Sequence, residues 1–529
     1  MMNWRSERHL AAVARALLGP RATLTKGEYQ LLGPDYSVDI SSVELRAIRA
    51  RIKAGHDPLG EGFAEVRSAS ARRNDGAVYT PTAIVGSMVA WARDTCDPTR
   101  IVDPGAGSGR FILRAAGAFP RARLVAIEKD PLAALMLRAN AVVFGVAKRL
   151  HVIVADYRDI KLPQIPGTTL FIGNPPYVRH HDIETHWKAW FSETAGKFGV
   201  KASTLAGLHI HFFVQTLKLA CAGDAGVFVT SAEWLDVNYG HTLRLLLAER
   251  LGGIALYVLE PTVEAFPGTT TTAAITCFKV GARPSALRVH TVKTVDDLNG
   301  LTSGRMVGWE RVSASSKWST IVRPGPATPA GHIELGELFR VHRGQVTGSN
   351  NVWIAGAHTA SVPNRFLTPT VTKARDLLDV GDRLMDAGRL RRVVDLPLDL
   401  ETLDENERQA IEAFLDWART IGAHETYVAK HRKAWWSVGL RAPAPILCTY
   451  MARRAPLFSR NLCAARHINI AHGLYPRNGL DDELLDLLVT WLNKNVSQRD
   501  GRTYAGGLTK FEPKEIERLC IPPLEDFRQ

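Results

Sequence analysis

The sequence predicts an open, doubly wound α/β domain followed by a second, mixed α/β domain. A chain of 529 residues exceeds what one hydrophobic core usually organises, at roughly 100–200 residues per domain. Hydrophobic residues make up 46% and charged residues 22%, which is the balance of a globular protein and excludes disorder or a coiled-coil fibre. Between about residues 76 and 285, short apolar runs alternate with amphipathic stretches, the pattern of an open α/β sheet.

The elements follow in chain order. Residues 1–75 are predicted to form a mostly helical lead, because Ser41 and Glu44 offer capping chemistry before an apolar helical face. No function is predicted for that lead. Residues 76–290 are predicted to form the α/β domain and residues 291–529 the second domain. The predicted strands are 100–103, 124–128, 152–155, 170–173, 226–231, 255–259 and 273–280.

The charge of the chain predicts a polyanionic partner. The formal net charge is +13, which makes nucleic acid the first candidate. Residues 426–480 contain nine Lys or Arg, no Asp or Glu, and six aromatic side chains, so we place a nucleic-acid surface there. For any single residue of the segment, a basic face over buried aromatics is an equal alternative. The candidate contacts in the second domain are Arg343, Lys430, Arg432, Lys433, Arg453 and Arg454.

The cysteines and the termini indicate the class of compartment. The six cysteines form no close pair, so neither a disulfide framework nor a metal site is predicted, and a reducing cytosol fits. No apolar run suggests a signal peptide or a membrane span, and we expect a cytoplasmic protein with no membrane partner.

Three predicted strand ends carry residues suited to a nucleoside-bearing ligand. Asp103 ends the first strand and is followed by Gly105 and Gly107, where a ligand can approach the backbone closely. Glu128 ends the second strand, at about the spacing where α/β cofactor sites place a ribose-binding carboxylate. Asp156 and Tyr157 end the third strand and offer an acceptor for an exocyclic amine and an aromatic flank for a purine.

The most specific motif is Asn174-Pro175-Pro176-Tyr177, directly after the apolar run 170–173. The two prolines fix the backbone and lack N–H donors, so carbonyls stay available as acceptors, and Asn174 can add a side-chain carbonyl. Such a turn binds a planar amino group. Acceptors that hold both hydrogens of an adenine N6 would favour attack on an electrophilic methyl group, by positioning and electrostatics. Tyr177 would stack on the base.

These motifs together resemble the S-adenosylmethionine-dependent adenine-N6 DNA methyltransferases of the Taq type, in which the cofactor motifs precede the catalytic motif and the recognition region. The resemblance covers about 76–285 well and the remainder loosely. It implies a class I, Rossmann-like methyltransferase domain and a C-terminal DNA-recognition domain.

The resemblance also implies roles for individual residues. Tyr79, Thr80 and Pro81 match the motif that covers the cofactor, with Thr80 near its methionine carboxylate. By the same likeness, Pro176 lies between cofactor and substrate, and Phe266 stacks on the everted adenine. The remaining cofactor positions match as follows: Asp103, Gly105 and Gly107 in the cofactor loop, Glu128 on the ribose, and Asp156 and Tyr157 at the adenosine ring.

The family implies partners as well. The substrate would be double-stranded DNA, from which the enzyme extrudes an adenine at a cost of roughly a few kcal/mol. By family analogy the protein would protect host DNA in a restriction–modification system, as a monomer acting beside a cognate endonuclease without a stable complex.

Several alternatives remain open at this point. The same turn occurs in enzymes that methylate guanine N2 of RNA or the glutamine amide of proteins. Cytosine-N4 methylation uses nearly the same chemistry, with a motif that more often begins with Ser. A catalytically idle DNA-binding subunit of a restriction assembly is a different class of protein. The basic C-terminal region favours DNA, and Asn rather than Ser at position 174 favours adenine.

Overall fold

The computed structural model divides the chain into two compact units, residues 1–324 and 325–529. The residues that it describes are 4–20, 22–32, 40–67, 80–260, 263, 272–315, 317–322, 331–504 and 508–528. Among these residues, no helix combines the length and apolar character needed to cross a membrane.

The first unit is organised by a nine-stranded sheet with the order β3-β2-β1-β4-β5-β7-β6-β8-β9. Its strands are β1 (Arg100–Pro104), β2 (Arg123–Glu128), β3 (Leu150–Val154), β4 (Thr169–Gly173), β5 (Ala225–Ser231), β6 (Gly253–Leu259), β7 (Ala273–Lys279), β8 (Ala286–Val292) and β9 (Arg305–Gly308). β1 pairs in parallel with both β2 and β4, so the carboxyl ends of these strands meet at one edge. β7 is antiparallel to β5 and β6.

Helices cover both faces of this sheet. Ile101 belongs to the core on one face and its neighbour Val102 to the core on the other, because successive side chains of a strand point to opposite sides. The doubly wound α/β architecture predicted from the sequence is confirmed. The helices that follow the N-terminal segment are α5 (Thr82–Thr95), α6 (Arg110–Ala118), α7 (Pro131–Phe144), α8 (Thr185–Lys197), α9 (Leu208–Leu219), α10 (His241–Leu246), α11 (Trp309–Ala314) and α12 (Trp318–Val322).

The N-terminal residues form helices that are part of the first unit. Leu10, Ile48 and Leu59 pack with Leu132 and Met136 of α7 in one buried cluster. Ser41 caps the third helix by accepting the Glu44 N–H at 3.1 Å, as its sequence suggests. The segment is therefore not a separate lead. Its helices are α1 (Glu7–Leu18), α2 (Lys26–Leu32), α3 (Ser42–Lys53) and α4 (Pro58–Val66).

The first unit also extends past residue 290, where the sequence analysis ended it. β8 pairs in parallel with β6, and β9 pairs antiparallel with β8, so both strands continue the same sheet. β8 is only alternately buried and β9 is mostly exposed, and neither has the continuous apolar run by which the earlier strands were predicted.

The second unit mixes short strands with helices, as predicted. A five-stranded sheet has the order β11-β19-β15-β17-β13. Its strands are β11 (Phe339–Arg343), β13 (Arg383–Leu384), β15 (Ile446–Thr449), β17 (Phe458–Asn461) and β19 (Ala471–Pro476). The smaller sheets use β10 (Ile333–Glu334), β12 (Leu367–Val371), β14 (Arg392–Val394), β16 (Met451–Ala452), β18 (Arg466–His467), β20 (Arg502–Tyr504), β21 (Leu508–Lys510) and β22 (Cys520–Ile521). The helices are α13 (Leu335–Leu338), α14 (Asn350–Trp353), α15 (Arg375–Leu378), α16 (Glu405–Thr420), α17 (Tyr427–Lys430), α18 (Asp482–Asn495) and α19 (Pro513–Glu517).

Candidate active site

The loop between β1 and α6 is shaped by glycines. Gly105, Gly107 and Gly109 have φ angles of 74°, 55° and 97°, in the left-handed region that side chains disfavour. The N–H of Gly105 donates to the Ile127 carbonyl at 2.8 Å, which ties the loop to β2. A ligand at this sheet edge can therefore approach bare backbone, as the sequence pattern predicted.

A cavity of about 530 Å³ opens at this edge of the first unit. Its volume lies in the range of small-molecule sites. Its wall includes the predicted residues Thr80, Gly105, Gly107, Glu128, Asp156, Tyr157, Asn174 and Pro176. The structure thus brings together residues from the ends of four strands and from a segment nearly a hundred positions before the Asn-Pro-Pro-Tyr turn.

Glu128 is held by backbone groups in the cavity wall. Its Oε2 accepts the Gly107 N–H at 2.7 Å and its Oε1 accepts the Asp130 N–H at 2.8 Å. Burial raises the pKa of this carboxyl, and the two backbone hydrogen bonds act in the opposite direction. A carboxylate oxygen has more than one acceptor site, so Glu128 can still accept hydroxyl groups from a ligand.

Asp156 is bound by Arg158, a residue that the sequence analysis did not single out. Arg158 donates from Nε to Oδ1 at 2.9 Å and from Nη2 to Oδ2 at 2.7 Å. Burial raises the pKa of Asp156, but the Arg158 hydrogen bonds outweigh it and leave the pKa below its ordinary value. The Arg158 guanidinium in turn lies 3.8 Å from the centre of the Trp187 ring, and both residues line the cavity.

Two predicted cofactor residues have mainly structural contacts. Asp103 is fully buried and does not line the cavity. Its Oδ2 accepts the Ile112 N–H of α6 at 3.1 Å, and burial raises the pKa of this carboxyl well above its ordinary value. Tyr157 lines the cavity, but its ring packs against Phe212 and its hydroxyl contacts Thr216 at 3.0 Å. Asp103 therefore binds the start of α6, outside the cavity wall.

Asn174 connects the turn after β4 to the start of α5. Its Nδ2 donates to the hydroxyl oxygen of Thr80 at 3.0 Å. Its Oδ1 is buried and has no hydrogen-bond partner among the described residues. A buried acceptor without a donor costs about 1–3 kcal/mol, which a ligand that brings an N–H group would recover.

Of the other three residues of the Asn-Pro-Pro-Tyr turn, fewer line the cavity than the sequence suggested. Pro176 lines the cavity, whereas Pro175 is buried behind it. Tyr177 is not part of the cavity wall; its hydroxyl is buried without a partner within the described part of the chain, and burial raises its pKa. The stacking role of Tyr177 on a base stays a prediction. Pro81, expected at the cofactor, caps α5 outside the cavity wall, and Tyr79 and Phe266 lie outside the described residues.

The N-terminal segment contributes residues that the sequence analysis missed. Leu31, Gly60, Phe63, Ala64 and Arg67 line the cavity beside Glu128 and Asp130. No motif identified them, because they lie in a segment with ordinary amphipathic helices. Nor did any motif identify Asp57, whose carboxylate caps α4.

The six candidate DNA contacts of the second unit differ in their surroundings. Arg343, Lys430, Lys433, Arg453 and Arg454 are exposed. Arg432 is half-buried, donates from Nη2 to the Val346 carbonyl at 2.6 Å, and has a pKa lowered by burial, so its guanidinium serves the fold of the unit. The aromatics of the segment are also mixed: Phe458 is core, whereas Tyr427 is 77% exposed.

The fold and the site define a class I S-adenosylmethionine-dependent methyltransferase. Comparison with known proteins gives the family. The family described as "Type II methyltransferase M.Eco57I, C-terminal domain" matches residues 328–529, and "Eco57I restriction-modification methylase" matches residues 167–252. The chain is 57% identical to the Type II methyltransferase M.XamI of Xanthomonas campestris pv. amaranthicola over 534 residues, covering 99% of this chain and all of the relative.

A more distant relative has a similar description, and one solved structure shares the fold. The Type II methyltransferase M.AccI of Acinetobacter calcoaceticus is 20% identical over 485 residues, 88% of each chain. The solved structure of the Type IIL restriction-modification enzyme MmeI in complex with DNA shares the fold, with a TM-score of 0.60 at 12% identity over 94% of this chain and 74% of that one. The chain belongs to the Type II DNA methyltransferases of restriction–modification systems. Its cofactor is S-adenosylmethionine.

Proposed function

We propose that the protein methylates N6 of an adenine that is extruded from double-stranded DNA. The observation that carries this proposal is the Asn174 amide, whose nitrogen is held by Thr80 while its oxygen is a buried acceptor with no partner in the described chain. Asn174 and Pro176 line the cavity that contains the glycine loop. An exocyclic amine is the group that such an acceptor lacks.

The chemistry is positioning and electrostatics. S-adenosylmethionine supplies an electrophilic methyl group on a sulfonium centre. Asn174 Oδ1 and the carbonyls of the proline-rich turn hold the hydrogens of the amine, which favours the pyramidal nitrogen needed for attack. No side chain of the turn is required as a nucleophile.

The cavity residues fit the cofactor. Glu128 keeps acceptor sites for the ribose hydroxyls, and Asp156 is kept ionised by Arg158 and can accept an adenine amino group. Gly105 and Gly107 leave room for the ligand at the backbone. By the family resemblance, Thr80 would lie near the methionine carboxylate of the cofactor.

The DNA partner is argued from charge and from family membership. The exposed cations Arg343, Lys430, Lys433, Arg453 and Arg454 would neutralise phosphates. Tyr177 and Phe266 would stack on the extruded base once it has entered. As a relative of Type II enzymes, the protein would act as a monomer that protects host DNA beside a cognate endonuclease.

The product and the role of Asn174 can be tested together. DNA from an expressing host is sequenced for methylation to find the target site, and nucleosides of the modified duplex are identified by mass spectrometry. We expect N6-methyladenine; N4-methylcytosine, or label appearing only on RNA or protein, would overturn the base assignment. Failure of labelled methyl transfer to any substrate would indicate an idle DNA-binding subunit.

Asn174→Ala is the matching variant. It should lower methyl transfer by at least about a hundredfold, since a preorganised polar contact of this kind supplies roughly 3 kcal/mol. Affinity for S-adenosylhomocysteine should stay within about threefold, because the change spares Glu128 and Asp156. Transfer at the normal rate would contradict the proposed role.

A further inference from the structure

A chain of hydrogen bonds leads from the N-terminal segment to the Asn174 amide. Asp57 Oδ2 accepts Arg110 Nε at 2.9 Å, Arg110 Nη1 donates to the Thr80 carbonyl at 2.8 Å, and the Thr80 hydroxyl accepts Asn174 Nδ2 at 3.0 Å. The chain joins α4, the first residue of α6, the start of α5 and the turn after β4.

The members of this chain are largely shielded from water. Thr80 is 3% exposed, and the side chains of Arg110 and Asp57 are 15% and 10% exposed. Ion pairs and hydrogen bonds in such surroundings are screened little, so each link restricts its neighbour more than a surface contact would. Ser108 of the glycine loop also donates to Asp57, which ties the loop to the same carboxylate.

We infer that Asp57, Arg110 and Thr80 are positioning residues that set the orientation of the Asn174 amide. This inference rests on the proposed role of Asn174 as the acceptor of the substrate amine. The hydrogen bond to the Thr80 hydroxyl restricts rotation of the amide, so the other end of the amide stays where it can meet the amine. With Nδ2 bonded to Thr80, Oδ1 is the end left for the substrate; in the reverse orientation two N–H donors would face each other.

The inference gives the N-terminal segment a function. Asp57 caps α4 by accepting the Gly60 N–H at 2.9 Å, and it binds the first residue of α6 with its other oxygen. Helices α1–α4 are packed on α7, so the carboxylate is held by a rigid element. The segment therefore completes the active site from outside the predicted α/β domain.

The test compares Thr80→Val with Thr80→Ser. Valine has nearly the shape of threonine but lacks the acceptor, whereas serine keeps it. Binding is measured without cofactor, on a duplex carrying the mapped target site and on the same duplex with purine, which lacks the 6-amino group, in place of the target adenine. The weaker pairing of purine with thymine affects this ratio equally in every variant, so the change of the ratio between variants reports recognition of the amine by Asn174.

We expect Thr80→Val to reduce this ratio about tenfold, corresponding to one buried hydrogen bond, and to lower kcat/KM for the target duplex by at least a similar factor. Thr80→Ser should restore both. Thermal unfolding, measured for each variant, confirms that it is folded.

The more distant links are tested by Arg110→Met and Asp57→Asn. Asparagine preserves the cap of α4 but not the charge that binds Arg110. Each change should lower the affinity ratio about threefold, and each should add little to Thr80→Val in a double variant, because the residues act through one path. Arg114→Met, at an exposed position one turn along α6, is the matched control and should leave the ratio unchanged.

The outcomes separate the two proposals. If Asn174→Ala abolishes the discrimination and Thr80→Val does not, the positioning chain is wrong and the acceptor role stands. If Asn174→Ala leaves the discrimination intact, the acceptor role itself fails. If the effects of Arg110→Met and Thr80→Val were additive, these residues would not act through one path, and the inferred positioning chain would be wrong.

Discussion

At the scale of single residues, the Asp156 carboxylate depends on one neighbour. Arg158 and Asp156 side chains are 5% and 15% exposed, and two hydrogen bonds join them. Removing one partner of a buried pair leaves the other charge without compensation, at a cost of about 3 kcal/mol. Arg158→Met, which keeps the apolar stem beside Trp187, should therefore destabilise the protein by about that amount in urea unfolding at pH 7.

The pH dependence of the stability lost in Arg158→Met tests whether the ion pair with Asp156 is its cause. In the native protein the pKa of Asp156 is depressed, so its contribution to stability is present above about pH 4, the value of an unfolded Asp, and is lost as the pH falls through the native pKa. Without the Arg158 side chain, burial is opposed only by the backbone N–H of residue 158 and by Lys129, so the pKa of Asp156 rises in the folded variant. The stability difference should shrink as the pH is lowered from 7 to 4.

A surface pair supplies the comparison for this prediction. Lys197 and Glu193 lie one turn apart on α8 with side chains 68% and 70% exposed. Lys197→Ala should change the free energy of unfolding by no more than about 0.5 kcal/mol, because exposed pairs contribute little. A pH-independent loss in Arg158→Met would mean that the contact with Trp187, and not the ion pair, is what stabilises the site.

The residues of the site differ in how far the sequence could identify them. Glu128 ends β2, Asn174 follows β4, and both stand in short local motifs, so their positions at the sheet edge were predictable. The contact between Asn174 and Thr80 joins residues 94 positions apart, and no local pattern encodes it. Arg158 escaped notice because an Arg two positions after an Asp has no meaning until both are buried.

At the scale of elements, the start of α6 depends on a glycine that has no room for a side chain. Gly109 has a φ of 97°, and a Cβ there would lie 2.1 Å from Leu137 Cδ1 of α7. Gly109→Ala should therefore lose at least about 2 kcal/mol of stability, from the left-handed backbone and the overlap together, and should weaken binding of S-adenosylhomocysteine. Thermal unfolding and calorimetry measure the two effects.

The same helix provides a control for which the opposite change in stability is expected. Gly117 lies near the end of α6, and a Cβ at that position would meet no atom within 4 Å. Gly117→Ala should stabilise the protein by about 0.4–1 kcal/mol, because alanine loses less backbone entropy than glycine on folding. If both substitutions were neutral, the conformation assigned to the glycine loop would be wrong.

The elements were predicted best where their burial is uniform. β1 and β4 are buried along their whole length, and their bounds differ from the prediction by one residue each. β8 and β9 are partly exposed, and the predicted domain ended at residue 290, within β8. Helices α1–α4 were expected, but their packing on α7 depends on tertiary contacts that amphipathic periodicity does not identify.

At the scale of the whole molecule, the chain has a net charge of +13, and the charged residues are distributed unevenly along its second unit. Residues 426–480 are basic, and α16 begins with Glu405 and Glu407 in its first turn. The overall sign could be predicted from composition. Which cations are free to meet a phosphate could not, because Arg460 and Arg432 are occupied by Asp482 and by the Val346 carbonyl, respectively.

The distinction between exposed and occupied cations can be measured through salt dependence. The affinity for duplex DNA should fall steeply with salt, since each neutralised phosphate contributes about −0.9 to the slope of log K against log salt concentration. Lys430→Ala and Lys433→Ala should each reduce the magnitude of that slope by about 1 and weaken binding to specific and unrelated duplexes equally. Arg408→Ala, whose exposed guanidinium pairs with Glu405 on α16, should leave the slope unchanged. An equal loss in all three variants would mean that net charge alone, and not the basic segment, binds the DNA.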